Sequence, residues 1–260
     1  MLVFPQLVTG ASALYPVKRT SIQRTVVNTL GDASTVVFSD PDAAANQWEL
    51  RATGMTLDEW NAVQALFVAA SGMWRTFTFL DPTGNLLAQS ENFGATAWTN
   101  GALIRLTPGV SDPLGTTRAT QVVNTGLAAE AITQTLAAPG NFEYCLSAWA
   151  QSAGGSSVTL MIGSAAQTFA LGAGWSRISL STNLGSSATS VTFGAQVAAG
   201  ASVNLFGMQA EAQLAPSDYK MTTAQGGVFL KARFGTDQLT VTAQGTDVFD
   251  AVIPIVDTEG

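Results

Sequence analysis

The stretch TFTFLDPTGNLLAQSENFGATAW, Thr76 to Trp98, decides how the chain is divided. Its first residues alternate, with Phe77 and Phe79 on one face, which is a strand pattern. Asp81-Pro82-Thr83-Gly84 then reads as a tight turn, because proline presets φ and an aspartate side chain can bond the backbone two residues on. After the turn the texture changes. Residues 84–222 hold ten charges in 139 positions: Glu91, Arg105, Asp112, Arg118, Glu130, Glu143, Arg177, Glu211, Asp218 and Lys220. The flanking 121 residues hold the other 19. The middle reads as short alternating strands cut by Gly, Ser and Asn, such as NFEYCLSAWAQS, SSVTLMIGS, GWSRISLST, TSVTFGAQV and ASVNLFGMQAEAQ. Many short strands at regular spacing predict a β-sandwich or jelly roll.

After Thr222 the first texture returns in GGVFLKARFGTDQLTVTAQG and FDAVIPIVD. TFTFL and VFLKARF are therefore expected to be neighbouring strands of one sheet whose hairpin tip a whole domain has replaced. Loop tips tolerate such insertions because domain termini are often close together. The expected division is a discontinuous scaffold, 1–85 and 223–260, around an insert at 86–222. A third domain made of the last 38 residues alone would be too small for its own core.

The scaffold should be β-rich with one helix. In QWELRAT, Trp48, Leu50 and Ala52 alternate with Glu49, Arg51 and Thr53, and STVVFSD before it also has strand character. In TLDEWNAVQALFVAASG, Thr56 and Glu59 have capping-box spacing. Leu57, Trp60, Val63, Leu66, Phe67 and Ala70 form one apolar face, and Gly72 is placed to end a helix over about 57–70. Pro254 inside an apolar run points to an edge strand.

Composition narrows the functions. The chain has 260 residues, a formal net charge of -7 and no Lys/Arg cluster beyond Lys18-Arg19, which argues against nucleic acid as a partner. There is no histidine, so Ser-His-Asp and Cys-His catalysis and histidine-containing zinc sites are excluded. Cys145 is the single cysteine and has no internal disulfide partner; it reads as an inert thiol. MLVFPQLVTGASALYP lacks a charged n-region, and no apolar run approaches a membrane span of about 18 residues. Synthesis in a cytoplasm is expected. Charged residues make up only 11%, against about 25% in an average soluble domain. That balance fits either surface hidden in contacts or a β-rich domain with a Ser/Thr/Gly/Ala surface.

Two resemblances follow from particular residues. FPQLVTGASALYPVKR, QWELRATGMTLDEWNAVQALFVAASG, TFTFLDPTGN and ARFGTDQLTVTAQGTDVFDAVIPIV resemble the distal-tail or baseplate-ring proteins of long-tailed bacteriophages. This implies a virion-tail location, a homo-oligomeric ring, and tail-tube and tail-tip proteins as partners. NLLAQSENFGATAWT, YCLSAWAQS, GWSRISL and FGMQAEAQLAPSDYKMT resemble the carbohydrate-binding-like jelly rolls that phage tail proteins often carry. The usual ending of that family is Gly-Ala-Gln-Leu-Glu-Ala-Gly and then Ser-Tyr-x-x-Thr. Here Met208 stands for Ala, Ala210 for Leu, and Lys220-Met221 for Ile-Pro. The resemblance implies a lectin-like insert that contacts host-surface glycan or neighbouring tail subunits.

Sugar recognition needs an aromatic face with amides and carboxylates nearby. Trp98, with Asn92 and Asn100 beside it, and Trp149, opposite the core face of its strand, are the candidates for stacking and polar contact. Trp175 begins a strand and reads mainly as core. The six carboxylates of the insert are scattered, so glycoside hydrolysis by a depolymerase is the weakest reading and no catalytic residue is assigned. No cofactor is expected. Asp40-Pro41-Asp42 and Asp112 are too sparse for a recognisable calcium loop, though jelly rolls of this type sometimes hold a structural calcium.

Overall fold

The computed structural model describes residues 1–11 and 13–257, without the side chains of 41–44, so Pro41 and Asp42 of the weighed calcium group lie outside the described side chains. The chain is mainly β with a single α-helix among the described residues. It separates into two compact units.

The first unit begins with β1 (Val17–Thr29), β2 (Thr35–Met55), α1 (Leu57–Ala70) and β3 (Phe77–Leu80). Ten strands, β4 to β13, lie between Thr99 and Glu211 in the second unit. The first unit resumes with β14 (Val228–Phe234), β15 (Val241–Gly245) and β16 (Val248–Asp257). Its sheet runs β1-β2-β16-β14-β3, with β15 also on β16. β3 and β14 are therefore neighbours. Just beyond them the Asp81 N–H donates to the Gly227 carbonyl at 2.8 Å.

Trp48, Leu50, Ala52 and Met55 point from β2 into the core, as alternation requires. They meet Phe77 and Phe79 of β3 and Phe229 and Phe234 of β14. Trp48 lies edge-on to Phe229 and Phe79, with ring centroids 4.7 and 5.0 Å apart. α1 starts in the expected capping box: the Glu59 N–H donates to Thr56 Oγ1 (3.2 Å) and the Thr56 N–H to Glu59 Oε2 (2.8 Å). Trp60, Val63, Leu66 and Ala70 face the core, but Leu57, expected on that face, is exposed in the first turn. Ser71 and Gly72 both take left-handed φ, +53° and +62°, where the helix ends, and the Gly72 N–H donates to Phe67 O.

Two expectations are corrected. STVVFSD and QWELRAT are one 21-residue strand, because β2 carries extra residues where its partner on β1 shifts: Ile22 pairs with Ala45 and Arg24 with Asp40. Pro254 lies in an interior strand, not an edge. β14 pairs with β16 only at Ile255 and Val256, and β15 only up to Ala251. Just past β14 the Gly235 N–H donates to the Pro254 carbonyl at 2.8 Å, so at this position the sheet lacks only the bond that a proline nitrogen cannot donate.

β16 pairs with β2 only from Asn46 to Met55. The distal halves of β1 and β2 therefore leave the sheet as a two-stranded arm. Val26 pairs with Phe38 on one side of it and Val27 with Val37 on the other. Val27, Val37 and Phe38 are 58%, 61% and 52% exposed.

The second unit, Leu80–Val228 with a few residues from Thr9 onward, is a sandwich of two five-stranded antiparallel sheets. One sheet runs β10 (Ala165–Ala170), β9 (Ser157–Ile162), β12 (Val191–Val197), β7 (Glu130–Leu136), β4 (Thr99–Asn100). The other runs β11 (Ser176–Asn183), β8 (Glu143–Gln151), β13 (Ser202–Glu211), β6 (Ala119–Asn124), β5 (Ile104–Val110). Tyr144, Leu146, Ala148 and Ala150 from β8 and Val158, Leu160 and Ile162 from β9 supply the alternate inward residues of the core.

Candidate functional site

The alternation that buries Tyr144 to Ala150 turns Cys145, Ser147, Trp149 and Gln151 to the outer face of the second sheet. Register fixes what stands beside them. Trp149 is flanked by Arg177 and Phe206, and Ser147 by Ser179 and Gln209. Gln151 faces Asn204, which in turn faces Gln121. Alternation from Arg177 places Trp175, one residue before β11, on this side next to Gln151.

Half of this face is roofed by the segment after β13. The ring of Tyr219 lies 5.5 Å from the rings of both Trp149 and Phe206. Its hydroxyl bonds Ser90 Oγ (2.8 Å) and donates to Glu91 Oε1 (2.9 Å). Gly207 makes this possible: its φ is +61°, and an added Cβ would stand 3.0 Å from the Tyr219 ring. Beneath the roof, buried Glu211 accepts from Gln209 Nε2 (2.7 Å), the Ser217 N–H (3.0 Å) and Lys220 Nζ (2.9 Å). The Lys220 N–H donates to Gln209 Oε1 at 2.7 Å. Buried Asn85 closes the other side, donating to Met208 O and accepting from the Ala210 and Leu87 N–H groups. The residues of GMQAEAQ and SDYK are thus a polar latch holding the chain's exit segment on the sheet.

The other half is uncovered. Trp149 and Trp175 are half-buried, and Arg177 stacks on the Trp149 ring at 4.6 Å. Gln121, Gln151 and Asn204 are half-exposed in one row across three strands, and none has a side-chain hydrogen bond to another described residue. This arrangement offers aromatic surface at one end and a line of free amide donors and acceptors, which suits a ligand carrying many hydroxyls.

The other expected contact residues lie elsewhere. Trp98 is 5% exposed, edge-on to Phe93, and donates its Nε1–H to Gln89 O at 3.0 Å; neither ring face is open for a sugar. Asn100 donates to Phe93 O at 2.9 Å and helps to close the same loop. Asn92 is exposed at a turn of that loop, where its carbonyl accepts the Ala95 N–H. Sequence reasoning read Trp175 mainly as core and passed over the three amides. Gln151, two residues after Trp149, was legible by alternation; Asn204 and Gln121 needed the strand register.

Glu91, Asp112 and Glu211 are held in structural contacts. Glu91 pairs with Arg118 at 2.9 Å. Burial alone would raise the Asp112 carboxyl, but hydrogen bonds from Thr116, the Arg118 N–H and the Leu114 N–H outweigh it and hold the value at about 2. Burial pushes the Cys145 thiol up. Among the described residues no three His, Cys, Asp or Glu gather as a metal site, and no helix is long and apolar enough to cross a membrane.

No protein-family profile matches this chain, and no curated protein matches its sequence. Solved structures similar to part of it include the enzymatically active domain of bacteriophage CBA120 tailspike protein 4, at 15% identity and a TM-score of 0.40 over 51% of this chain and 22% of that one. The CBM22-1 xylan-binding domain of Paenibacillus barcinonensis Xyn10C matches at 14% identity and 0.40, over 50% and 96%. TmCBM61, solved with β-1,4-galactotriose, matches at 10% and 0.38, over 48% and 97%. The chain spans about a fifth of the tailspike domain. These likenesses are too slight to carry a function across.

Proposed function

We propose that the sandwich unit is a glycan-binding module and that the chain acts by contact, not catalysis. The observation carrying this reading is the uncovered half-face, where Trp149 and Trp175 adjoin the free amides of Gln121, Gln151 and Asn204. A glycan chain lying across the strands would exchange hydrogen bonds with the amides and rest a pyranose against indole surface. The test is a glycan array of neutral and acidic polysaccharides with the full chain, followed by titration calorimetry. Trp175→Ala, and Gln151→Ala with Asn204→Ala, should each weaken binding at least about tenfold, the loss of a stacking contact or of two polar ones. Unchanged affinity in both would sink the reading.

A second reading has its own observation. The arm exposes valine and phenylalanine on both sides, and a two-stranded ribbon is marginal in water by itself. Together with the tail-protein resemblance, this supports the first unit as an assembly scaffold in a phage tail tip, closing into a ring between tail tube and tip proteins. Val27→Ser with Val37→Ser should reduce the oligomer mass measured by light scattering; an unaltered oligomer would count against the arm.

A further inference from the structure

The latch on the exit segment holds an amine and an amide on one buried carboxylate. Glu211 is 3% exposed. Its Oε1 accepts from Lys220 Nζ at 2.9 Å, and its Oε2 accepts from Gln209 Nε2 at 2.7 Å. Gln209 is fully buried, and its Oε1 accepts the Lys220 N–H at 2.7 Å. Ser217 Oγ accepts from the same Lys220 Nζ at 2.6 Å and holds the amine from a second side.

An ion pair would need only Lys220 and Glu211. The carboxamide adds an electrophilic carbon, Cδ of Gln209. Its nitrogen is already bonded to the carboxylate that holds the amine, and its oxygen already faces a backbone donor. Nucleophile, proton carrier and a donor at the oxygen where charge develops are the parts that amide exchange requires. The side chains of Lys220 and Glu211 are 28% and 4% exposed, so little water competes for these atoms.

We infer that Lys220 and Gln209 condense into an isopeptide cross-link, with Glu211 carrying the protons. Glu211 takes one proton from the Lys220 ammonium. Nζ then attacks Cδ of Gln209, and the negative charge on Oε1 is met by the Lys220 N–H. Glu211 passes its proton to Nε2, the Cδ–Nε2 bond breaks, and ammonia leaves. The second Nζ proton goes by way of Glu211 to that ammonia. Glu211 ends ionised, one ammonium ion is the by-product, and no oxidant or cofactor is consumed. The bond joins residues 11 positions apart and fastens the exit segment covalently to β13. Such a link also restricts the unfolded chain, as any closed loop does. The inference is independent of the glycan and assembly readings.

The test is the intact mass of the full chain, denatured after incubation at neutral pH, for the parent, Lys220→Arg and Glu211→Gln. Lys220→Arg keeps a positive charge beside Glu211 but offers no lysine amine. Glu211→Gln keeps both reactants and removes the proton carrier. The parent should weigh one ammonia less than its sequence, and both variants should have their full sequence mass. Trypsin, which cuts after a free lysine, should spare the Lys220–Met221 bond in the parent alone. A parent of full sequence mass overturns the cross-link. A deficit that persists in Lys220→Arg places the lost ammonia elsewhere and overturns it too. A deficit that persists only in Glu211→Gln overturns Glu211 as the carrier. Should Glu211→Gln fail to fold, the comparison of the parent with Lys220→Arg decides.

Discussion

At the scale of single residues, the strongest constraints lie where the exit segment crosses the sandwich. Gly207 combines a left-handed φ with the approach of Tyr219, so Gly207→Ala should destabilise the sandwich by about 2 kcal/mol or more, read by chemical denaturation. Asp112 gives a pH-dependent prediction. Its folded-state value, about 2, lies below its ordinary 3.8. The ionised form therefore contributes stability that is fully present above about pH 4 and is lost as pH falls through about 2. Asp112→Ala should cost about 2 kcal/mol at pH 7, with the gap from the parent shrinking toward pH 2 in urea titrations. Trp98 shows the limit of reading such residues from sequence. A tryptophan near asparagines looks like a sugar platform, yet here Nε1–H and the ring edge fasten a loop to itself.

At the scale of elements, α1 was legible because capping spacing and 3.6-residue periodicity are local signals. Thr56→Ala removes the side-chain acceptor of the Glu59 N–H and should lower stability of the first unit by about 1 kcal/mol, measurable by thermal unfolding. β2 was less legible. Its sequence reads as two strands, STVVFSD and QWELRAT, but pairing with β1 carries one strand through a shift in register, with β16 joining only from Asn46 onward. β16 carries the complementary lesson: Pro254 has the chemistry of an edge residue, yet it sits in an interior strand, paired with Glu49 on one side and accepting from the Gly235 N–H just past β14 on the other. Neither case is decided by the residues of the strand itself.

At the scale of the whole molecule, the first unit and the sandwich have separate cores, the aromatic cluster around Trp48 and Phe79 and the interleaved aliphatics around Leu160 and Phe193. Leu160→Ala should lower the unfolding free energy of the sandwich by about 3 kcal/mol and leave the hydrogen exchange of β2 and β16 unchanged. Exchange protection lost equally in both units would refute their independence. The sequence alone determined the β-rich class, the single helix and the change of texture after Asp81, because alternation, capping and charge density are written in neighbouring residues. Only the tertiary structure decided which side chains share a surface. Gln121, Gln151 and Asn204 come from three strands far apart in sequence. Such neighbours are set by strand register and chain return, which depend on the whole packed core and not on any local pattern.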